Sequence, residues 1–272
     1  MFYKLEKMGP NEWCFAETKS TKSVWNDMDR ASDYIDKGDL DNAEKILRKI
    51  ITRYPLYIEA LHLMALVYSQ RDKSQEYYLF EKEVASIGQS CFPNTFKKRK
   101  DKLEWGWVEN RTFLRALHSL GMVYLDRGWI EEAMEIFEDI LSFNPNDNQG
   151  IRALVIDCYF LLKEPDKVLK LCENYKNDIL AEVAYGLPLA LFQLGRIEEA
   201  EKALKEAIKF KPLIAQELLK KKHTEPESAM PGYITVGGED EAYQYWESSE
   251  VFWKKTKGAL ALLLKQVKDS GE

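Results

Sequence analysis

Gly128-Trp-Ile-Glu-Glu-Ala133 and Gly195-Arg-Ile-Glu-Glu-Ala200 are one phrase written twice, and Gly38-Asp-Leu-Asp-Asn-Ala43 is a third copy. Each alanine is followed twelve residues later by a proline, at Pro55, Pro145 and Pro212. The three residue types have separate mechanical reasons. Glycine takes the left-handed conformation that ends one helix. Alanine lets a second helix cross the first closely, where a larger side chain would push the two apart. Proline cannot continue that second helix and stops it. A whole phrase repeated with its internal spacing intact marks a stack of helical hairpins, each touching mainly its neighbours.

The phrase resembles the tetratricopeptide repeat. That resemblance implies units of about 34 residues with the proline near position 32. The first unit then runs from Val24 to Tyr57, with Ala31, Tyr34, Leu47 and Ile50 among its core residues. A second begins near Ile58 and has a degenerate second helix around Tyr77 to Ile87. A third spans Leu114 to Asp147 and carries Leu117, Leu120, Gly121, Tyr124, Phe137 and Ile140 at consensus positions. A fourth covers Asn148 to Leu180, where Pro165 replaces the cap and starts the second helix. A fifth covers Ala181 to Leu213, and Pro188 should kink its first helix.

The expected fold is therefore all-α: a tetratricopeptide-repeat α-solenoid of about five hairpins. Residues 1–23 read as an N-terminal extension, 24–90 as repeats one and two, 91–113 as an insert, 114–213 as repeats three to five, and 214–272 as capping helices. Phe2 to Glu17 carries apolar residues on either side of Gly9-Pro-Asn-Glu12, the pattern of a short β-hairpin. The insert reads as a loop with a short helix at Lys97–Lys102, its aromatic residues packing back on the stack. In the tail, Tyr243, Trp246, Phe252, Trp253, Leu260 and Leu263 form one apolar stripe, suited to closing the end of a repeat array.

Composition limits the function. The chain has 272 residues, 45% hydrophobic and 31% charged, with a net charge of −6. That balance argues against a nucleic-acid binder. The basic runs Lys97-Lys-Arg-Lys100 and Lys220-Lys-Lys222 read first as solvated surface. No stretch approaches the roughly 20 apolar residues that cross a bilayer, and Met1-Phe-Tyr-Lys-Leu-Glu-Lys lacks the apolar run of a signal peptide. Cys14, Cys91, Cys158 and Cys172 fit no zinc spacing and read as reduced thiols of a cytoplasmic protein.

A narrower resemblance lies in Glu109-Asn-Arg-Thr-Phe-Leu-Arg-Ala-Leu-His118, in Asn144-Pro-Asn-Asp-Asn-Gln-Gly-Ile-Arg152, and in the tail from Pro231-Gly-Tyr233. These phrases are similar to bacterial relatives of the suppressor-of-tumorigenicity-seven family. That likeness implies a scaffold and supplies no catalytic residue.

The tetratricopeptide resemblance also implies that the first helix of each hairpin lines a concave groove. Its inward positions include His62, Arg115, His118, Met122, Leu125, Arg152, Ile156, Tyr185 and Leu189. Such a surface would grip a peptide with hydrophobic anchors, Arg115 and Arg152 forking onto an acidic group. The competing reading pairs Arg111, Arg115 and Arg152 with Glu109, Asp147 or Asp157 inside the stack. The Pro231-Gly-Tyr-Ile234 loop is long enough to fold into the groove. Chaperone-binding members of the class use lysine and asparagine at inward positions, and the inward set here has neither.

Catalytic patterns are missing. His62 and His118 occupy equivalent inward positions but make a poor metal pair. Glu131-Glu132 and Glu198-Glu199 suit helix N-termini. Gly237-Gly238 lacks the Lys-Ser/Thr of a phosphate loop. The sequence reading is thus a non-enzymatic scaffold for a protein or peptide, with no cofactor and no metal. The alternatives are a nucleic-acid-associated regulatory adaptor and an enzyme with a site in the concave cleft.

Overall fold

The computed structural model describes residues 2–18, 22–175, 178–227 and 233–270. Contacts divide the chain into two compact units, Met1–Ile151 and Arg152–Glu272. The first unit opens with strands β1 (Tyr3–Gly9) and β2 (Glu12–Glu17), an antiparallel hairpin where the sequence placed one. Three helical hairpins follow: α1 (Trp25–Asp36) with α2 (Leu40–Arg53), α3 (Ile58–Gln70) with α4 (Ser74–Ser90), and α5 (Val108–Asp126) with α6 (Ile130–Phe143). The second unit is built from α7 (Ile151–Leu161), α8 (Pro165–Asn174), α9 (Ala181–Gln193), α10 (Ile197–Phe210), α11 (Pro212–Leu219), α12 (Glu239–Lys255) and α13 (Ala259–Ser270). The fold is a tetratricopeptide-type α-solenoid with a small N-terminal sheet and C-terminal helices, as the repeated phrase required.

The three phrase alanines, Ala43, Ala133 and Ala200, are fully buried. The phrase glycines take positive φ, at 73° for Gly38 and 74° for both Gly128 and Gly195. The two degenerate hairpins reach the same conformation without glycine. Asp72 has φ 56° and Lys163 has φ 59°. So Pro165 does begin α8 as expected, but the left-handed turn before it falls on Lys163, not on the proline. A Cβ in that region crowds the following carbonyl, which costs roughly 1–2 kcal/mol. Helix α9 continues through the buried Pro188.

The insert between α4 and α5 departs from expectation. No helix forms over residues 97–102. Arg99 takes φ 66°, which interrupts any helical run. The Asp101 carboxylate accepts from the Lys97 backbone N–H at 2.8 Å. Lys102 instead pairs with the β-hairpin: its N–H donates to the Asn11 carbonyl, and its carbonyl accepts from Trp13. The insert's aromatic residues do pack back. Phe92 and Phe96 meet Phe113 and Phe143 at ring-centre distances of 5.7–5.9 Å. Helix α5 starts at Val108, six residues before the expected Leu114. The added turns carry Asn110, fully buried, whose side chain accepts from the Phe15 N–H and donates to the carbonyls of Trp13 and Glu104. The hairpin and α5 therefore need each other for satisfied backbone groups.

Lys163→Gly should raise stability by roughly 0.5–1 kcal/mol, and Gly128→Ala should lower it by about 1 kcal/mol. Urea unfolding of the two variants checks both signs; unchanged midpoints would show that these turns carry no strain.

Candidate functional site

In the second unit the expected inner-face residues are core. Tyr185, Ile156 and Leu189 are each at most 1% exposed. Helix α12 packs on α9 and α11. Tyr245 and Trp253 stand 5.7 and 6.3 Å from the Tyr185 ring, and Phe252 stacks on Phe160 at 5.1 Å. The Tyr185 hydroxyl donates to the Lys211 carbonyl at 2.8 Å. The Lys211 ammonium, buried, reaches both carboxylate oxygens of Glu241 at 2.7 and 2.6 Å. The Tyr185 ring is thus covered by α12, and Ile156 and Leu189 are buried with it. The sequence anticipated self-occupation but assigned it to another segment. Pro231 and Gly232 lie outside the described residues, and Tyr233 and Ile234 are exposed. The buried stripe of α12 runs instead through Glu241, Ala242, Tyr245, Ser249, Phe252 and Trp253. Trp246 is half-buried and stacks on His223 at 3.7 Å.

Arg152 is spent at home. It pairs with Asp178 at 2.5 Å and lies 5.3 Å from the centre of the Tyr175 ring. Burial pushes the Asp178 carboxyl up, but Arg152 and the Leu180 N–H outweigh burial and hold its pKa below the usual range. Asp157 has no such counterweight, while at Glu182 burial outweighs the pull of Lys211 and Arg152. Burial, with mutual repulsion added, pushes the Asp157 carboxyl well up, and burial raises Glu182 as well. Tyr245 on α12 faces both groups.

In the first unit His62 is also core. Its Nδ1 stands 3.0 Å from the buried Glu81 carboxylate. Burial raises the Glu81 pKa, opposed by His62 and Ser119. The remaining expected residues lie along α5. Arg115 is exposed, its guanidinium 5.2 Å from the centre of the Trp105 ring, and among the described residues no carboxylate pairs with it. Arg111 shares that ring at 5.3 Å and donates to the Trp105 carbonyl. His118, Met122 and Leu125 are half-buried. Burial lowers the His118 pKa, against the pull of Asp147.

The second unit has an open groove that the sequence reading missed. Helix α8 has 10 residues, whereas α2, α6 and α10 each have 14. Val183, Leu187 and Leu191 of α9 and Ala203 and Phe210 of α10 line its apolar floor. Phe210 is 52% exposed. Glu173, Lys202 and Glu206 stand at the rim, and Arg196 forks onto Glu199 at 2.7 and 2.6 Å. The only sequence signal was the distance from Pro165 to the next apolar run, too short for a full second helix and its turn.

The chemistry of catalysis is thin. Burial pushes the Cys14, Cys158 and Cys172 thiols up to about 12, which makes them poor nucleophiles. Among the described residues no group of three or more His, Cys, Asp or Glu could hold a metal, and no helix is long and apolar enough to cross a membrane.

Hairpins with this cap-and-crossing geometry define a tetratricopeptide-class protein, and comparison with known proteins agrees. The MamA protein matches 76% of this chain and 100% of its own at 16% identity with a TM-score of 0.52. YrrB, described as a TPR protein with an unusual peptide-binding site, matches 71% of this chain and 92% of its own at 15% identity and a TM-score of 0.52. At such identities the likeness shows the fold alone. Tetratricopeptide repeat protein 21B of Mus musculus is 26% identical over 188 residues, which are 65% of this chain and 12% of that much longer protein. The sequence model described as transcriptional repressor TCF25 matches residues 19–266, and the chain belongs to that family. The narrower likeness to the suppressor-of-tumorigenicity-seven family is not what the comparisons show.

Two outcomes test the core assignments. His62→Ala should cost about 3–5 kcal/mol in urea unfolding, because it strands a buried carboxylate; a loss within 0.5 kcal/mol, the usual surface value, would return His62 to the surface. Asp157 holds its proton more tightly folded than unfolded, so its contribution is full below the ordinary carboxylate range and is lost as pH rises through its raised pKa. Asp157→Asn should therefore flatten the stability profile above that range and raise the melting temperature at neutral pH. Parallel wild-type and variant profiles would contradict this.

Proposed function

We propose that this chain is a non-enzymatic scaffold that binds a protein segment in the groove between α8, α9 and α10. The observation that carries the reading is the apolar floor that α9 and α10 form beside a charged rim. An amphipathic helix would lay its apolar face on Leu187, Leu191 and Phe210 and set its polar flanks against Glu173, Lys202 and Glu206. The tetratricopeptide class supports a protein-interaction role. The family description supports a transcription-linked setting, in which the scaffold would assemble other proteins instead of reading nucleic acid itself. Local pairing supports that last point. Lys98 and Arg99 pair with Asp139 and Glu138, and Lys220 pairs with Glu217, so these basic runs are partly neutralised in place.

A second surface follows from Arg115. Exposed, stacked on Trp105 and without a carboxylate partner among the described residues, it keeps the acidic-anchor role expected of it, with His118, Met122 and Leu125 alongside on α5. Arg152, tied to Asp178, does not share that role.

Affinity capture from the native cell with wild type, Ala203→Glu and Arg115→Ala tests both faces. Ala203→Glu should reduce recovery of a helix-docking partner about tenfold, and Arg115→Ala should reduce recovery of an acidic partner by a similar factor. Identical recovery from all three proteins at equal melting temperature would overturn this function.

A further inference from the structure

The first unit has a cleft that neither surface above uses. It lies where the β-hairpin meets the N-terminal ends of α1, α3 and α5. Phe15 and Ile58, both 2% exposed, form its floor. Its walls are Met8, Trp25, Trp107 and Val108, exposed by 45, 51, 36 and 63%. Exposed apolar side chains are ordinary when scattered, but four around one cleft form a contact surface. The rim carries four carboxylates, of which Glu6 pairs with Lys4 at 2.7 Å. Glu6 and Glu17 come from the strands, and Glu59 and Glu109 from the first turns of α3 and α5. Among the described residues no lysine or arginine lines it.

The second positions of α3 and α5 would favour a glutamate anyway, because a carboxylate there offsets the helix dipole. That accounts for Glu59 and Glu109. It does not account for the strand glutamates beside the cleft, nor for the exposure of Trp25 and Trp107 along its wall. The aromatic faces also attract positive charge, and Lys22 Nζ already stands 5.9 Å over the Trp25 ring. Burial first, then the neighbouring Tyr57, Glu17 and Glu59, push the Tyr3 phenol up.

We propose that this cleft binds an extended protein segment in which lysine or arginine alternates with apolar side chains. The cations lie over Trp25 and Trp107 and against the Glu59 and Glu109 carboxylates, and the apolar side chains reach the Phe15 and Ile58 floor. A desolvated cation on a tryptophan face adds to the carboxylate attraction. A polyanion is repelled by the same rim, which separates this site from any nucleic-acid surface.

The test uses the full chain and fluorescence anisotropy of a labelled Arg-Leu-Lys-Ile-Arg-Leu peptide. Its Glu-Leu-Glu-Ile-Glu-Leu counterpart serves as control. The basic peptide should bind with salt-sensitive affinity, and the acidic one should not bind. Glu59→Gln/Glu109→Gln should weaken binding about tenfold and Trp25→Leu about fivefold. Glu198→Gln/Glu199→Gln, with the same change in net charge at α10, should leave it unchanged. Ala203→Glu, which disables only the α8–α10 groove, should also leave it unchanged, so the two proposals fail separately. Equal loss in both glutamine pairs would reduce the effect to net charge and overturn the site. So would absence of binding at low salt. Sedimentation showing self-association that Glu59→Gln/Glu109→Gln abolishes would assign the cleft to a second copy and overturn it too.

Discussion

Two helices can approach closely only where neither carries a large side chain at the crossing. That steric limit governs the molecule. Ala43, Ala133 and Ala200 sit at such crossings with no exposed surface. Gly121 goes further: a Cβ there would stand 2.4 Å from the Phe137 ring. Once a hairpin is that tight, its apolar residues have a fixed depth, and Leu47, Phe137 and Leu204 fill the same slot three times over, each at most 1% exposed. The glycine turns and terminating prolines then follow as ways of keeping each crossing in register.

The same economy explains why the second unit does not offer the inner face that its repeats imply. A tetratricopeptide first helix is apolar on the side away from its partner, and α9 is apolar almost all round. Such a surface must be covered. Helix α12 covers it, held at one end by Lys211 and Glu241. A buried ion pair of this kind adds little net stability, but an arrangement that separates the partners is penalised by about 3–5 kcal/mol. The pair therefore fixes where α12 sits more than how strongly it holds. The Gly237 N–H, which donates to Glu241 at 2.7 Å, adds a second constraint at the start of the helix.

Much of this was written in the phrase Gly-x-x-x-x-Ala and its proline. Those residues have local, steric reasons for being where they are, so they could be read without a structure. The hairpin around Gly9-Pro-Asn-Glu12 was legible for the same reason. What failed was non-local. Lys163 takes a left-handed turn that lysine does not prefer, and its N–H donates to the Phe160 carbonyl there. Lys97–Lys102 had helical composition, but Lys102 found a strand partner near Asn11 instead. Ile156, Tyr185 and Leu189, counted as lining a groove, are buried, and counting cannot show that a helix made much later packs on α9. Arg152 pointed to an acidic ligand by type, and its acid was Asp178 in the same chain. The α8–α10 groove joins residues of three helices, a juxtaposition that no single repeat declares.

The N-terminal hairpin departs from this locality. Phe15 and Trp13 complete their hydrogen bonding on Asn110, at sequence separations of 95 and 97 residues. Stacked helical hairpins can settle one after another as they leave the ribosome, but β2 cannot. At roughly 5–20 residues per second it waits about 5–20 s for its seat to be made. During that interval its apolar face, Trp13 and Phe15 included, has no cover of its own. The strand is thus finished only once α5 has been made, and the nascent chain depends for that time on whatever else shields an aromatic strand from its neighbours.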